Sequence, residues 1–170
     1  MLNRNTRIAA IVVFCAICAE PASAQQFGLQ VGPPAAAIPQ AGTASTPKKL
    51  AKDSVFVVRS IGCVDPAGAR LVSTAEGLVN GVRRSVPLQL MPMPSPGVHA
   101  VPRAWPEGGT WIVTLAGTCD GKTAGAIVSM GMRTVYDRTA VTRLAHRPTG
   151  AEIDGALNAL VAAPQAPTQR

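Results

Sequence analysis

The chain has 170 residues and a formal net charge of +7, and only 4% of its residues are aromatic. A chain of this length is enough for one domain. A nucleic-acid interface needs basic side chains clustered among stacking aromatics, whereas the lysines and arginines here are scattered along the sequence. Composition therefore argues against nucleic-acid binding and favours a basic, solvated surface, with weak attraction to an anionic envelope surface as the second interpretation.

Residues 1–24 have the organisation of a secretory signal peptide. Arg4 and Arg7 precede the uncharged apolar run 8–19, and the small residues Ala22 and Ala24 follow it. The run is shorter than the about 20 residues that span a membrane, so we expect cleavage after Ala24 rather than an uncleaved anchor. The sequence therefore predicts a periplasmic or secreted protein with no integral membrane segment in the mature chain.

Residues 25–50 are rich in proline, alanine, glycine and glutamine and show no hydrophobic periodicity. The pair Pro33-Pro34 resists both helix and sheet. We expect this segment to be a disordered linker that leads to a folded domain over residues 51–147.

Short stretches with strand character, separated by turn residues, follow the linker. Asn80-Gly81 and Asp120-Gly121 are preferred two-residue hairpin turns. Pro87 lacks an N–H group, which predicts an edge strand or a local break at that position. Strands are expected at 53–61, 69–75, 82–90, 97–101, 110–119 and 122–133. This spacing predicts an all-β fold, an antiparallel immunoglobulin- or fibronectin-like β-sandwich.

The stretch 110–119 is the expected centre of the sandwich. Trp111, Val113 and Leu115 have the same parity, which places them on one face of a strand, and Cys119 continues that face. Cys63 is the only other cysteine outside the leader. Because an exported chain meets an oxidising compartment, we predict a structural Cys63–Cys119 disulfide. A redox pair or a metal site is the alternative, but no C-x-x-C lies outside the leader, and two thiolates under-fill a zinc shell.

A C-terminal helix is predicted over residues 148–162. Thr149 and Glu152 have the spacing of a capping box. One apolar face follows at helical spacing, formed by Ile153, Ala156, Leu157, Leu160 and Val161. The sequence leaves open whether this helix packs on the sandwich or serves a partner, and whether residues 134–147 add a strand. Residues 163–170 are expected to be a disordered tail.

The sequence contains no recognisable catalytic constellation. His99 and His146 are the only histidines, and neither G-x-S-x-G nor H-E-x-x-H occurs. Acidic residues fall in turn-like sequence, where they satisfy the backbone. We therefore predict that the protein is not an enzyme.

Two small groups of residues are candidate binding sites. Met91 and Met93 lie in a proline-rich loop near His99, and thioethers with an imidazole suit Cu(I). The alternative is that both methionines plug the end of the sandwich. Trp105, next to Arg103, either covers the open end of the sandwich or is an exposed anchor for a partner.

The second half of the domain carries a pattern of its own: Pro96-Gly97-Val98-His99-Ala100-Val101, then Trp105-Pro106, Gly109-Thr110-Trp111-Ile112-Val113 and Asp120-Gly121-Lys122. This pattern resembles FixH/YtkA-like bacterial envelope domains, which are immunoglobulin-like sandwiches. His99 stands where an aromatic residue is usual. The resemblance implies a role that accompanies copper and respiratory-oxidase maturation or metal efflux, and it assigns no residue as a ligand.

Together these observations favour a non-catalytic exported accessory or protein-interaction module without a cofactor, whose partner is another envelope protein. The alternative is a periplasmic Cu(I)-binding protein with the ligands Met91, Met93 and His99. A small hydrolase or redox enzyme is the third hypothesis and has the least support.

Overall fold

The computed structural model describes residues 26–34, 54–130 and 138–163. They form nine strands and one α-helix. The strands are β1 (Gly28–Gly32), β2 (Ser54–Ile61), β3 (Arg70–Val79), β4 (Val82–Leu88), β5 (Met91–Pro92), β6 (Val98–Pro102), β7 (Thr110–Cys119), β8 (Lys122–Met130) and β9 (Val141–Leu144), and the helix is α1 (Gly150–Ala162). In this part of the chain, no helix is long and apolar enough to cross a membrane.

The strands form two antiparallel sheets. The first sheet has the order β1-β2-β6-β5 and the second has the order β4-β3-β7-β8-β9. In the nomenclature of the immunoglobulin fold, these are strands A-B-E-D and C′-C-F-G, with β9 added beside G. The predicted β-sandwich with a C-terminal helix is therefore confirmed, and residues 141–144 add a strand.

Local turn chemistry explains the two tight hairpins of the second sheet. Asn80 and Gly81 have φ values of 52° and 75°, and Asp120 and Gly121 have values of 51° and 71°. Two consecutive left-handed residues are what the preferred type I′ turn requires. Both predicted hairpins are confirmed.

Pro87 lies on the edge strand β4, as predicted. The hairpin closes at the pair Val79 and Val82, so alternate residues of β4 direct their backbone groups away from β3. Pro87 is one of these outward residues, together with Arg83 and Ser85. Its missing N–H therefore removes no bond from the sheet and leaves the edge with one donor fewer.

The main core lies between the two sheets. Trp111, Val113 and Leu115 of β7 are at most 4% exposed and face Phe56 and Val58 of β2 across the sandwich. These residues confirm the inward parity predicted for β7. Burial of such side chains is worth about 1.5–3 kcal/mol each relative to exposure.

The helix α1 is a third layer on the outer face of the second sheet. Ile112 and Ile127 have the outward parity, yet they are 0% and 3% exposed because Leu157 of the helix covers them. The helix begins with the predicted capping box between Thr149 and Glu152. An ion pair between Arg83 and Asp154 also ties the helix to β4. The helix therefore packs on the sandwich, which explains the apolar outer face of β7.

Replacing Leu157 with alanine is expected to destabilise the protein by about 3 kcal/mol, because Leu157 is 2% exposed and its loss leaves a cavity above the sheet. Val161→Ala in the same helix is the matched control, since Val161 is 58% exposed. Urea denaturation of the two variants measures the difference. Equal free energies of unfolding would contradict this packing.

The predicted linker is wrong over residues 28–32, which form strand β1. Phe27, Leu29 and Val31 are 3–4% exposed and belong to the main core. The strand pairs with β2 from Gly28 opposite Ile61 onward. Apolar and polar side chains alternate in this strand. The alternation covers only five residues, and the surrounding glycines and prolines give the segment the composition of a disordered linker. The predictions for the leader, for residues 35–53 and for residues 164–170 lie outside the described residues.

Candidate functional site

The predicted copper ligands lie on both faces of the first sheet. In the pairing of β5 with β6, Met91 lies opposite Ala100, and Pro92 lies opposite His99. Met91 and Met93 pack on the outer face against a cluster formed by Val57, Val98 and Ala100. Because neighbouring residues of a strand point to opposite faces, His99 points away from this cluster. The structure brings Met91 and Met93 together and separates His99 from them.

The imidazole of His99 is partly buried on the inward side of β6. Its Nδ1 atom is buried and has no hydrogen-bond partner. Desolvation lowers the pKa of His99 from its ordinary value, because no partner compensates a buried positive charge. The neutral imidazole is therefore the form that the fold favours.

The lowered pKa of His99 predicts acid-sensitive stability. A histidine whose pKa is lower in the folded state stabilises the protein above its ordinary pKa of 6.5, and this stabilisation is lost as the pH falls through the lowered folded-state pKa. The melting temperature is expected to fall on acidification. His99→Gln should flatten this dependence over the corresponding pH range. Identical profiles for wild type and His99→Gln would contradict the prediction.

Trp105 is buried, so the alternative that it is an exposed anchor is wrong. Its side chain is 6% exposed, and its ring centroid lies 6.3 Å from that of Trp111. The chain after β6 therefore folds Trp105 back into the main core, where it covers the end of the sandwich. Arg103 is exposed in the same loop, and its role in partner binding stays a prediction.

A disulfide joins Cys63, just after β2, to Cys119 at the end of β7, with Cα atoms 6.0 Å apart. It links the two sheets at the strands that correspond to B and F of the immunoglobulin fold. The Asp120 carboxylate lies within 4.8 Å of both sulfurs and accepts a hydrogen bond of 2.9 Å from the Val64 N–H. Because the sulfurs are bonded to each other, they are not the thiolates that a metal needs. The pair is an inter-sheet disulfide.

Most carboxylates of the described residues are engaged within the protein. Glu76 and Asp154 flank Arg83, and the Glu152 carboxylate accepts hydrogen bonds from Thr149, which lower its pKa. Asp65 and Asp120 accept hydrogen bonds from backbone N–H groups.

Most basic side chains in the same part of the chain have no ion pair: Arg59, Arg70, Arg84, Arg103, Lys122, Arg143 and Arg147. The charged groups that remain available to a partner are therefore mostly positive.

Sequence reasoning missed an apolar groove that runs between β1 and β9, named here the β1–β9 groove. Phe27, Leu29, Ile61, Leu144 and Arg143 line it. The alternating apolar residues 27, 29 and 31 could have predicted a strand on one side of the groove. The sequence does not predict that this strand lies near β9, because the two strands belong to different sheets.

No protein-family model matches the chain, and no curated protein or solved structure matches it either. The class of the protein therefore rests on its strand order: an immunoglobulin-like β-sandwich with an inter-sheet disulfide and a docked C-terminal helix. The geometry and charge of its surface are the features that bear on its function.

Proposed function

We propose that the protein is a non-catalytic, exported accessory module that binds an acidic surface of another envelope protein. The observation that carries this proposal is the unequal pairing of charges. Among the described residues, most carboxylates are engaged inside the protein, whereas seven basic side chains have no ion pair with another described residue. These are Arg59, Arg70, Arg84, Arg103, Lys122, Arg143 and Arg147. Such a surface attracts a negatively charged partner and accelerates association with it.

The internal architecture supports recognition rather than reaction. The two tryptophans are buried against each other. The disulfide holds the sheets together, and the helix covers one outer face, so the frame that presents the basic side chains is rigid. Export is supported by the signal-like residues 1–24 and by the cysteine pair.

The copper alternative receives less support from the geometry. With His99 on the opposite face of the strand, Met91 and Met93 contribute two thioethers from one small cluster. The relationship to FixH/YtkA-like domains stays a prediction from residues 96–122.

Cross-linking in the envelope of the native host tests the proposal. The wild type should be exported with its leader removed and should form a cross-linked complex that high salt abolishes, because about 1 M salt reduces the Debye length to about 3 Å. Mass spectrometry of the purified protein checks the cleavage after Ala24.

A charge-matched pair of variants separates the basic side chains of the sandwich from net charge. Replacing Arg59, Arg70 and Arg103 with glutamine should abolish the complex. Replacing Lys48, Lys49 and Lys52 with glutamine removes the same charge outside the described sandwich and should preserve it. Retention of the protein in the cytoplasm, or equal loss of the complex in both variants, would overturn the proposal.

A further inference from the structure

The second sheet ends on two edge strands, β4 and β9. In the described part of the chain, no strand pairs with the outer side of either one. An unpaired edge presents a row of N–H and C=O groups, to which a strand of a second chain can add. Neither edge strand contains an acidic residue, but each contains arginine: β4 has Arg83 and Arg84, and β9 has Arg143.

Arg84 has the inward parity of β4. It lies opposite Gly77, and a Cβ atom at Gly77 would meet the ring of the buried Trp111, so this pair is on the core side of the sheet. The neighbouring Arg83 has the outward parity and forms ion pairs with carboxylates. Arg84 is exposed and has no ion pair with another described residue.

Arg143 has the inward parity of β9. It lies opposite Ala126, which is 0% exposed and belongs to the main core. Val141, two residues earlier on the same face, packs against that core. Arg143 itself is exposed and has no ion pair with another described residue. Each edge of the second sheet therefore has one unpaired cation on its inner side, which reaches water through the open edge of the sandwich.

Addition of a strand at either edge would bury this cation. The added strand continues the sheet, so the inward position of the former edge strand becomes an interior position between two layers. A charge that moves from water into such a position without a counter-ion loses its solvation, which is costly. A second copy of the chain brings no carboxylate on its own β4 or β9 that could neutralise the charge.

We propose that Arg84 and Arg143 keep the protein monomeric, because they prevent the edges of the second sheet from pairing with a second copy of this chain. The other basic side chains without an ion pair among the described residues lie outside the edge strands. Proline acts in the same direction, at Pro87 on β4 and at Pro92 on the two-residue strand β5. This role is independent of the acidic partner proposed above, since it depends on position relative to the core and not on total charge.

Sedimentation equilibrium of the purified, oxidised protein tests the proposal. The wild type should be monomeric. Arg143→Val replaces the cation with a β-branched apolar side chain, and this variant should dimerise at least about tenfold more tightly than the wild type. Arg143→Lys keeps the charge and should remain monomeric.

The β4 edge is tested in the same way. Arg84→Val should associate more weakly than Arg143→Val, because Pro87 still removes a donor from β4. The double variant with valine at both positions has two open edges, so pairing can continue from one copy to the next. It should therefore form assemblies larger than a dimer.

Arg59→Val is the matched control for net charge and for added apolar surface. Arg59 is exposed on β2, which is paired with β1 on one side and with β6 on the other, so this variant should remain monomeric. Hydrogen exchange of the amides of residues 141–144 should slow in Arg143→Val only at concentrations at which it dimerises. Melting temperatures near that of the wild type show that each variant is folded, and Arg143→Thr replaces Arg143→Val if the latter melts early.

Several results would overturn the proposal. They are a wild type that already dimerises through β9, an Arg143→Val variant and a double variant that both remain monomeric, and equal association of Arg143→Val with either Arg143→Lys or Arg59→Val. If Arg143→Val stays monomeric and loses the salt-sensitive complex with the envelope partner, Arg143 belongs to the partner surface and does not protect the edge.

Discussion

Replacing Cys63 and Cys119 together with serine is expected to lower the free energy of unfolding by about 4 kcal/mol. The bridge closes a loop with a sequence separation of 56 residues, and a loop of this length has large conformational entropy in the unfolded chain. Five strands, β3 to β7, lie within this loop, so its opening affects most of the core. Urea denaturation measures the change.

The reduced wild type is the matched control for this variant. Treatment with a dithiol should lower its stability by the same amount, and the double variant should not respond to the dithiol. A reduced wild type as stable as the oxidised protein would contradict the expected role of the bridge. So would thiol titration of the oxidised, mature protein that finds both sulfhydryl groups free.

Trp111→Ala is expected to cost about 4 kcal/mol, near the upper range for core substitutions. Trp111 is 4% exposed, and its ring lies over Gly77, the residue opposite it in β3, and beside Trp105. Its Nε1–H also donates a hydrogen bond of 2.8 Å to the Gly108 carbonyl. Truncation removes the ring from the main core and leaves the glycine uncovered.

A double-mutant cycle with Gly77→Ala checks the contact between the glycine and the ring. A Cβ atom at Gly77 would overlap the Trp111 ring, so Gly77→Ala should destabilise the wild type by about 1–3 kcal/mol. In the Trp111→Ala background the same substitution should cost little, because the ring is absent. Additive effects of the two substitutions would show that the residues do not interact.

Features that depend on neighbouring residues were predictable from the sequence. The type I′ turns at Asn80-Gly81 and Asp120-Gly121 follow from the preference of these residues for left-handed backbone conformations. The capping box of Thr149 and Glu152 joins residues three positions apart. The parity of Trp111, Val113 and Leu115 follows from the geometry of a strand. Each of these is settled over a few residues, so no knowledge of distant segments was needed.

The candidate sites were less predictable, because they depend on which distant segments meet. Proximity in sequence suggested that Met91, Met93 and His99 form one site, but the register between β5 and β6 separates His99 from the methionines. Trp105 was open to two interpretations until the fold placed it against Trp111. Composition assigned residues 28–32 to a linker, although pairing with β2 makes them a strand.

The amino-acid sequence by itself determined the turns, the inward face of the central strand, the helix and the residues available for the bridge, because these depend on backbone preferences and side-chain alternation over short distances. Only the tertiary structure decided that α1 covers Ile112, that β1 completes the first sheet, and that Arg143 meets an apolar groove. These contacts join residues far apart in the chain. Their formation depends on sheet order and register, which no local pattern encodes.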